Sequence, residues 1–418
     1  MALLKPKDPV VLSYRWDNPT IEQNTPFEEQ KFLLLKIRPI ELPPPPRVNL
    51  VLVLDKSGSM EGEPIENLKK AVKEILNQLD DEDRISIVLF DSEARVLVSN
   101  TPASARKELR TRVEDIFPLG GTSIDEGMEL GLQEAEKFHG KEVVSWMILL
   151  TDGKNDHGDN NKCIELARVA RKKGINISTI GLGRKWDPKL LEQISDFSGG
   201  KMYYVDNPED LKEKFLKELE NIKNVVYRDI SLKLKLEGFV EFSKVSPAFV
   251  VTPQIKRIEP LWDGEGWILE IGDLERDKEK LVLLQVFVGT PSSSYINKVM
   301  EYVLSYRTLS GERKESAPHN IVLEVTETYI SQFDEEVRDA VSKVSLYVEH
   351  QIAEEYLDSG RPMEALTILQ TMYQTAVKFE NDDLKKVIEE NIEKIKVQGE
   401  IPDELRIKTK YQTKLIEE

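Results

Sequence analysis

Short apolar runs alternate with amphipathic segments through residues 48–225. The run VNLVLVLD (48–55) is apolar at nearly every position, which is typical of a strand buried on both faces of a parallel sheet. Further strands are predicted at 84–91, 95–99, 143–151, 175–183 and 201–205, and helices at 65–79, 104–116, 122–138, 163–174, 188–200 and 208–223. Strands that alternate with helices predict a mostly parallel α/β sheet with helices on both faces.

The residues on either side of this segment predict a second part made of β-strands. Residues 10–40 contain two strand-like runs, and the four consecutive prolines of ELPPPPR (41–47) form a stiff connector that marks a domain boundary. After residue 226, strand-like runs are separated by Gly, Pro and Asn, as in an antiparallel β-sandwich. Because an isolated two-stranded ribbon is unstable in water, the first strands are expected to join this sandwich. The α/β domain would then be inserted in the sandwich.

From residue 333 onward, helical periodicity replaces the strand pattern. The stretch AEEYLDSGRPMEALTILQ is spaced like one tetratricopeptide-type helical hairpin, but a single unit favours a plain helical bundle. The predicted organisation comprises N-terminal strands that complete the sandwich, an α/β domain, the β-sandwich and a helical domain, at 1–46, 47–225, 226–326 and 327–418.

Composition narrows the class of partner. The 418 residues include 75 Asp and Glu against 58 Lys and Arg, a formal net charge of −17. Nucleic acids and anionic membranes are bound by basic surfaces, so neither is expected as a partner. The single cysteine, Cys163, excludes a disulfide framework and a multi-thiolate metal site, and four histidines argue against a His-rich zinc centre. Any metal is therefore expected to be bound by oxygen.

No targeting or membrane-spanning segment is predicted. The first residues, MALLKPKDPVVLSY, contain charges and prolines where a signal peptide has an apolar core. The longest apolar runs, such as VVSWMILL (143–150), have about eight residues, whereas a helix that spans a bilayer needs about 20. The expected location is the cytoplasm.

A set of oxygen-bearing side chains follows three segments of the predicted sheet. Its members are Asp55, Ser57, Ser59, Thr122 and Asp152. The first three have the spacing D-x-S-x-S, and Gly58 allows the backbone to turn so that their oxygens converge. Parallel sheets bind ligands beyond the carboxyl ends of their strands. Two carboxylates and three hydroxyls suit Mg²⁺, with Mn²⁺ or Ca²⁺ as alternatives, in a shell completed by water.

This set resembles the metal-ion-dependent adhesion site (MIDAS) of the von Willebrand factor A (vWA) domain family. The resemblance covers about residues 48–224, and flanking sequences such as VLVLDKSGSMEGEP and LLTDGKND are similar to those of soluble bacterial and archaeal members. It implies a doubly wound sheet with one antiparallel edge strand, and a metal whose shell is completed by an Asp or Glu of a partner protein. In some members the last helix, here 208–223, slides when the ligand binds. The expected function is a Mg²⁺-dependent protein-interaction module, not an enzyme.

Two other functions are compatible with the same residues. A metal-dependent phosphohydrolase or phosphotransferase would use the same ions, although no base is placed near Ser57 and the motifs G-x-S-x-G and G-K-[ST] are absent. Alternatively, the chain is a helical adaptor whose metal site is purely structural, and it then binds partners through residues 327–418.

The residues around the site allow more than one interpretation. His157 and Asp156 either line its rim or belong to a solvated loop, which is the simpler interpretation. Lys56 and Lys154 would favour an acidic partner, whereas three nearby acidic residues oppose this, namely Glu61, Glu63 and Asp159. Cys163 lies on an amphipathic helix and is expected in the core.

Overall fold

Residues 8–23, 28–289, 296–328, 330, 332–378 and 381–415 are described by the computed structural model. They fall into two units. One takes its residues from Met1–Pro43, Val226–Thr308 and Glu312–Glu418, and the other takes them from Pro44–Val225 and Leu309–Gly311. Residues 1–7 of the predicted N-terminal part and residues 416–418 of the predicted helical domain lie outside the described residues. The four-part division at 1–46, 47–225, 226–326 and 327–418 stays a prediction.

The N-terminal segment contributes more strands than the two predicted. In its described residues they are β1 (Val10–Trp16), β2 (Thr20–Glu22) and β3 (Glu29–Pro39). β1 pairs antiparallel with β3. The short β2 was missed because three residues are too few to show a periodic pattern.

The α/β unit is built around one six-stranded sheet. Its elements are β4 (Arg47–Asp55), α1 (Glu63–Gln78), β5 (Arg84–Phe90), β6 (Ala94–Pro102), α2 (Arg106–Glu114), α3 (Ile124–Glu136), β7 (Val143–Thr151), α4 (Asn160–Lys172), β8 (Ile175–Leu182), α5 (Pro188–Ser198), β9 (Met202–Val205) and α6 (Leu211–Lys223). The strand order is β6-β5-β4-β7-β8-β9, and all neighbours are parallel except the antiparallel edge pair β5–β6. The expected doubly wound sheet with one antiparallel edge strand is confirmed.

The central strands are buried as their apolar runs predict. Every residue of β7 and β8 is buried, and so is every residue of β4 after Arg47. Helix α3 packs closely on this sheet because Gly131 has no side chain: a Cβ there would lie 2.6 Å from Cγ2 of Val53. This close packing fixes the start of α3, just after Thr122, near the carboxyl end of β4.

The second unit contains two facing sheets. After α6 its strands are β10 (Val225–Leu236), β11 (Val240–Phe242), β12 (Ala248–Val250), β13 (Lys256–Ile258), β14 (Leu261–Trp262), β15 (Trp267–Glu275), β16 (Lys280–Val288), β17 (Ile296–Thr308), β18 (Arg313–Glu315) and β19 (His319–Thr326). One sheet runs β1-β3-β16-β12-β13 with β11 beside β16, and the other runs β14-β15-β10-β17-β19-β2 with β18 beside β17. Their inner faces share one apolar core. All described pairs are antiparallel except β19–β2, which is parallel.

Four helices follow in the described residues of this unit: α7 (Glu335–Asp358), α8 (Pro362–Lys378), α9 (Asp382–Gln398) and α10 (Asp403–Lys414). Asp334 caps α7 by accepting hydrogen bonds from the amides of Glu336 and Val337. Helix α7 covers the outer face of the β3–β16 sheet, where Val337 packs in one cluster with Leu34. None of the helices in the described stretches is long and apolar enough to cross a bilayer. The predicted fold class is confirmed.

Candidate metal centre

All five predicted site residues lie at the carboxyl edge of the α/β sheet. Asp55 is the last residue of β4, and Asp152 directly follows β7. These two strands are parallel neighbours, with Leu54 opposite Leu150, so their carboxyl ends are adjacent. The two serines lie in the turn after β4, and Thr122 lies just before α3. The connections after the neighbouring parallel strands β4 and β7 meet at one edge of the sheet, so Asp55, the two serines and Asp152 converge. Thr122 lies between α2 and α3, and its loop is hydrogen-bonded to the turn after β4.

Three side-chain oxygens form a tight triangle. The Oγ atoms of Ser57 and Ser59 are 3.0 Å apart, and Oδ1 of Asp152 lies 2.7 Å from Oγ of Ser59 and 3.4 Å from Oγ of Ser57. In an octahedral Mg²⁺ shell with bonds of about 2.1 Å, neighbouring ligand oxygens are roughly 3 Å apart. The triangle therefore has the dimensions of one face of such an octahedron, and these oxygens fit a magnesium ion.

Asp55 lies behind this triangle and is fully buried. Its Oδ1 accepts a hydrogen bond from the Ser57 amide at 2.8 Å, and its Oδ2 accepts one from the Thr151 hydroxyl at 2.6 Å. Burial raises the pKa of Asp55 to about 6; the hydrogen bond from Thr151 opposes the rise, and the charge of Asp152 adds to it. Because both oxygens already accept hydrogen bonds, Asp55 is arranged to act on a cation through water.

Burial also raises the pKa of Asp152, although the hydroxyls of Ser59 and Ser57 partly oppose this by hydrogen bonding. Two carboxyl groups with raised pKa values at one sheet edge are costly to ionise without a cation nearby. A bound divalent ion would remove this cost by favouring both ionised forms.

Thr122 lies beside Gly153, the residue that follows Asp152. A Cβ at Gly153 would lie 3.3 Å from Oγ1 of Thr122, so the threonine hydroxyl is close to the residue after Asp152. The carbonyl of Thr122 accepts a hydrogen bond from the amide of His157 at 3.0 Å. The loops that carry Thr122 and Asp152 are thus joined to each other.

Backbone hydrogen bonds also join the Thr122 loop to the D-x-S-x-S turn. The amide of Leu119 donates to the carbonyl of Lys56 at 2.7 Å, and the amide of Gly58 donates to the carbonyl of Gly120 at 3.0 Å. These bonds hold the oxygens in position before any ligand binds.

The sequence left open whether His157 and Lys56 lie at the rim of the site, and the structure shows where each of them lies. The ring of His157 lies against Gly121, where a Cβ would be only 2.4 Å from its Cε1, so His157 flanks the Thr122 loop. Lys56 is 6% exposed and pairs with Asp91, so it is not part of the rim. Cys163 is buried as expected, and burial raises the pKa of its thiol to about 12.

Two residues that support the site were missed by sequence reasoning. Thr151 bonds to Asp55, and the hydroxyl of Ser92 accepts a hydrogen bond from the amide of Gly121 at 2.9 Å. Thr151 had a detectable signal, because a polar residue directly follows the apolar run WMILL at the end of β7, whereas Ser92 had none. Among the described residues, no group of three or more His, Cys, Asp or Glu side chains could hold a metal. The candidate centre depends on hydroxyl oxygens as well as carboxylates.

Comparison with known protein families identifies two regions of the chain. The family model of the von Willebrand factor type A domain matches residues 49–218, and a model described as the Sll0103-like, C-terminal alpha-helical domain matches residues 335–418. The uncharacterized protein sll0103 of Synechocystis sp. is 31% identical over 371 residues, which cover 88% of this chain and 87% of that protein.

Two solved structures share the fold across both units. A von Willebrand factor type A protein from Catenulispora acidiphila aligns with a TM-score of 0.81 at 16% identity and covers 97% of each chain. The ArnB paralog VWA2 from Sulfolobus acidocaldarius aligns with a TM-score of 0.57 at 15% identity and covers 97% of this chain and 98% of its own. At these identities the likeness concerns the fold alone.

Domains of the vWA type mediate protein–protein interactions, and some of them bind a metal at a MIDAS. The match to sll0103 extends over most of both chains and includes the α/β, β-sandwich and helical regions. The chain therefore belongs to the family of prokaryotic von Willebrand factor type A domain proteins, together with sll0103.

Proposed function

We propose that this chain is a Mg²⁺-dependent protein-interaction module that captures an Asp or Glu side chain of a partner protein. The ion is held by a set of five residues, Asp55, Ser57, Ser59, Thr122 and Asp152. The observation that carries the proposal is the triangle of oxygens from Ser57, Ser59 and Asp152, with edges of 2.7 to 3.4 Å. These distances fit neighbouring positions of an octahedral magnesium shell.

The charge of the site explains why an acidic partner is expected. Both oxygens of Asp55 accept hydrogen bonds from the protein, which leaves Asp152 as the carboxylate that faces the hydroxyls directly. An ion bound mainly by neutral hydroxyls and one carboxylate keeps net positive charge. Such an ion supplies an open coordination position that favours a carboxylate oxygen from another molecule.

The proposal assigns no catalytic step to the site. A cytoplasmic location, and the expectation that nucleic acids and membranes are not partners, stay predictions from the sequence.

Metal binding is tested by the free energy of unfolding with MgCl₂ and with a chelator. Ligand that binds only the folded state at 100 times its Kd stabilises by about 2.7 kcal/mol. We expect this gain in the wild type, its loss in Asp152→Ala, and its retention in Asp156→Ala, which removes an exposed carboxyl group four residues away. Equal stabilisation of Asp152→Ala by magnesium would contradict the proposal.

The phosphohydrolase alternative is tested with p-nitrophenyl phosphate and MgCl₂. We expect no hydrolysis above the buffer rate. Hydrolysis by the wild type that disappears in Asp152→Ala would replace the interaction proposal with an enzymatic one.

A further inference from the structure

Two strongly exposed apolar side chains lie in the loop that leads to Thr122. Phe117 is 66% exposed and Leu119 is 70% exposed. The α/β unit, at 44–225 and 309–311, is fully described, and no other large apolar side chain in it is more than 39% exposed. Rigid apolar surface next to a polar site is typical of interaction surfaces.

This loop holds Leu119 beside the candidate metal centre. Its amide donates to the carbonyl of Lys56, the residue before Ser57, at 2.7 Å. The next residue, Gly120, accepts a hydrogen bond from the amide of Gly58, at 3.0 Å. The exposed Leu119 therefore lies beside the turn that contains Ser57 and Ser59.

The Phe117 ring contacts the protein on one face, and most of its side chain is exposed to solvent. The Nζ atom of Lys69 lies 5.2 Å from the centre of the Phe117 ring, in a cation–π contact. Lys69 is itself buried, at 6% exposed, and pairs with Glu66 at 3.1 Å. The preceding Ile116 is fully buried and anchors the loop to the core. One face of the ring is therefore fixed on the protein while most of the side chain is presented to solvent.

We propose that Phe117 and Leu119 form an apolar subsite that is continuous with the metal centre, and that the partner segment carries an aliphatic or aromatic side chain close to its metal-binding Asp or Glu. This inference rests on the proposed function. Leu119 is hydrogen-bonded to the residue before Ser57, and Phe117 precedes Leu119 by two residues. Since an extended segment advances about 3.3 Å per residue, the apolar side chain is expected within about four residues of the acid. The metal fixes the position of the acid, and burial of the apolar pair adds affinity and selects the sequence.

The experiment is selection of a random peptide library on the intact protein, in MgCl₂ and in chelator. The selected peptides are then titrated against the wild type, Asp55→Ala and the double variant Phe117→Ser with Leu119→Ser. Val169→Ser is the matched control, because Val169 is 39% exposed on α4 and its removal changes surface apolarity elsewhere. Magnesium affinity is measured separately for the double variant and for Val169→Ser, to show that each one folds and keeps its metal site, and circular dichroism checks that Asp55→Ala is folded.

We expect magnesium-dependent peptides to share an acidic residue with an apolar residue within four positions. The double variant should bind them at least tenfold more weakly with unchanged magnesium affinity, whereas Val169→Ser should bind them as the wild type does. Peptides that share only the acid, and bind the double variant equally well, would overturn the apolar subsite and leave the proposed function intact. If enrichment does not depend on magnesium or on Asp55, both proposals are wrong.

Discussion

The hydrogen-bond network of Glu218 and the candidate metal centre are two polar regions of the same α/β unit, and their carboxylates are bonded in different ways. Glu218 lies on α6 and is fully buried. Its Oε1 accepts a hydrogen bond from the hydroxyl of Ser178, and its Oε2 accepts from the hydroxyl of Tyr203 and from the amide of Asn221 at 3.2 Å. Every carboxylate oxygen of Glu218 therefore has a donor supplied by the protein.

In the candidate metal centre, the donors that bond to Asp152 have a second possible role, whereas both oxygens of Asp55 are bonded by the fold as those of Glu218 are. Asp152 accepts hydrogen bonds from the hydroxyls of Ser57 and Ser59, and these hydroxyls are themselves candidate ligands. A hydroxyl that turns its proton away offers a lone pair to a cation, and the Oγ atoms of Ser57 and Ser59 lie 3.0 Å apart, which is the spacing of neighbouring ligands in a magnesium shell. Asp55 and Asp152 also lie close enough for each charge to raise the cost of the other.

The difference indicates how a buried acid that stabilises the fold is distinguished from one that binds a ligand. Glu218 is bonded entirely by the fold and joins α6 to Ser178 of β8 and Tyr203 of β9. A slide of α6 along its axis, which the family resemblance implies for some members, would break these hydrogen bonds here. The metal centre, in contrast, is arranged so that a cation completes it.

The largest expected effect is on the Glu218 network. Glu218→Ala leaves the buried groups of Ser178, Tyr203 and Asn221 without their acceptor, so we expect a loss of about 3 kcal/mol or more in the free energy of unfolding. Glu220→Ala, an exposed position on the same helix, is the control and should change it by less than about 0.5 kcal/mol. Urea denaturation measures both. A loss below 1 kcal/mol for Glu218→Ala would show that the network does not hold α6.

The next effect has the opposite sign and concerns Asp55. Burial raises its pKa from 3.8 to about 6 in the folded state, so the folded state binds the proton more tightly than the unfolded state does. Without metal, ionisation of Asp55 therefore lowers stability as the pH rises from about 4 to 6, and the full cost applies above that. We expect Asp55→Asn to be more stable than the wild type by about 1–3 kcal/mol in chelator at pH 7.5.

Urea denaturation at several pH values tests this expectation. The advantage of Asp55→Asn should fall to roughly half at pH 5, and it should shrink at pH 7.5 when MgCl₂ stabilises only the wild type. A destabilised Asp55→Asn protein in chelator at pH 7.5 would place Asp55 in the same class as Glu218, as a structural acid.

The smallest expected effect concerns two buried threonines, of which one supports the metal site and the other supports only the fold. Thr151→Val removes the hydrogen bond to Asp55, and Thr179→Val removes a hydrogen bond to the carbonyl of Leu191 at 3.0 Å. Both threonines are fully buried at strand positions, so each substitution should cost about 1 kcal/mol of stability. Thr151→Val alone should weaken magnesium binding, by about tenfold, because it loosens a residue behind the ligands. Calorimetric titration of both variants checks this, and equal affinities would contradict the role of Thr151.

Much of the site could be predicted from the sequence because its parts are local. The turn after β4 places Ser57 and Ser59 near Asp55 within five residues, and the apolar run of β7 places Asp152 at the same sheet edge. Their role as metal ligands stays a prediction. The supporting contacts could not be predicted, because the approach of His157 to Gly121 depends on the paths of two loops that are distant in sequence.

The β-sandwich also contains contacts that could not be predicted from the sequence. The run KFLLLKI in β3 predicts a strand, yet its three consecutive leucines do not show which neighbours bury them. In the structure, Leu33 and Leu35 face the core between the two sheets, and Leu34 faces α7, more than 300 residues later in the chain. The three-residue β2 lies between β1 and β3 in the chain, but it belongs to the other sheet, where it pairs in parallel with β19. No local pattern in the sequence predicted this strand.

The sequence by itself determined the alternation of strands and helices in the α/β unit, the oxygen chemistry of the candidate metal centre and the resemblance to the vWA family, because periodicity and motif spacing are properties of neighbouring residues. Only the tertiary structure decided which faces are covered, which side chains donate hydrogen bonds to Glu218, and that Phe117 and Leu119 remain exposed beside the site. Burial and hydrogen bonding between distant segments depend on how the chain packs, and the sequence pattern of a single segment does not contain that information.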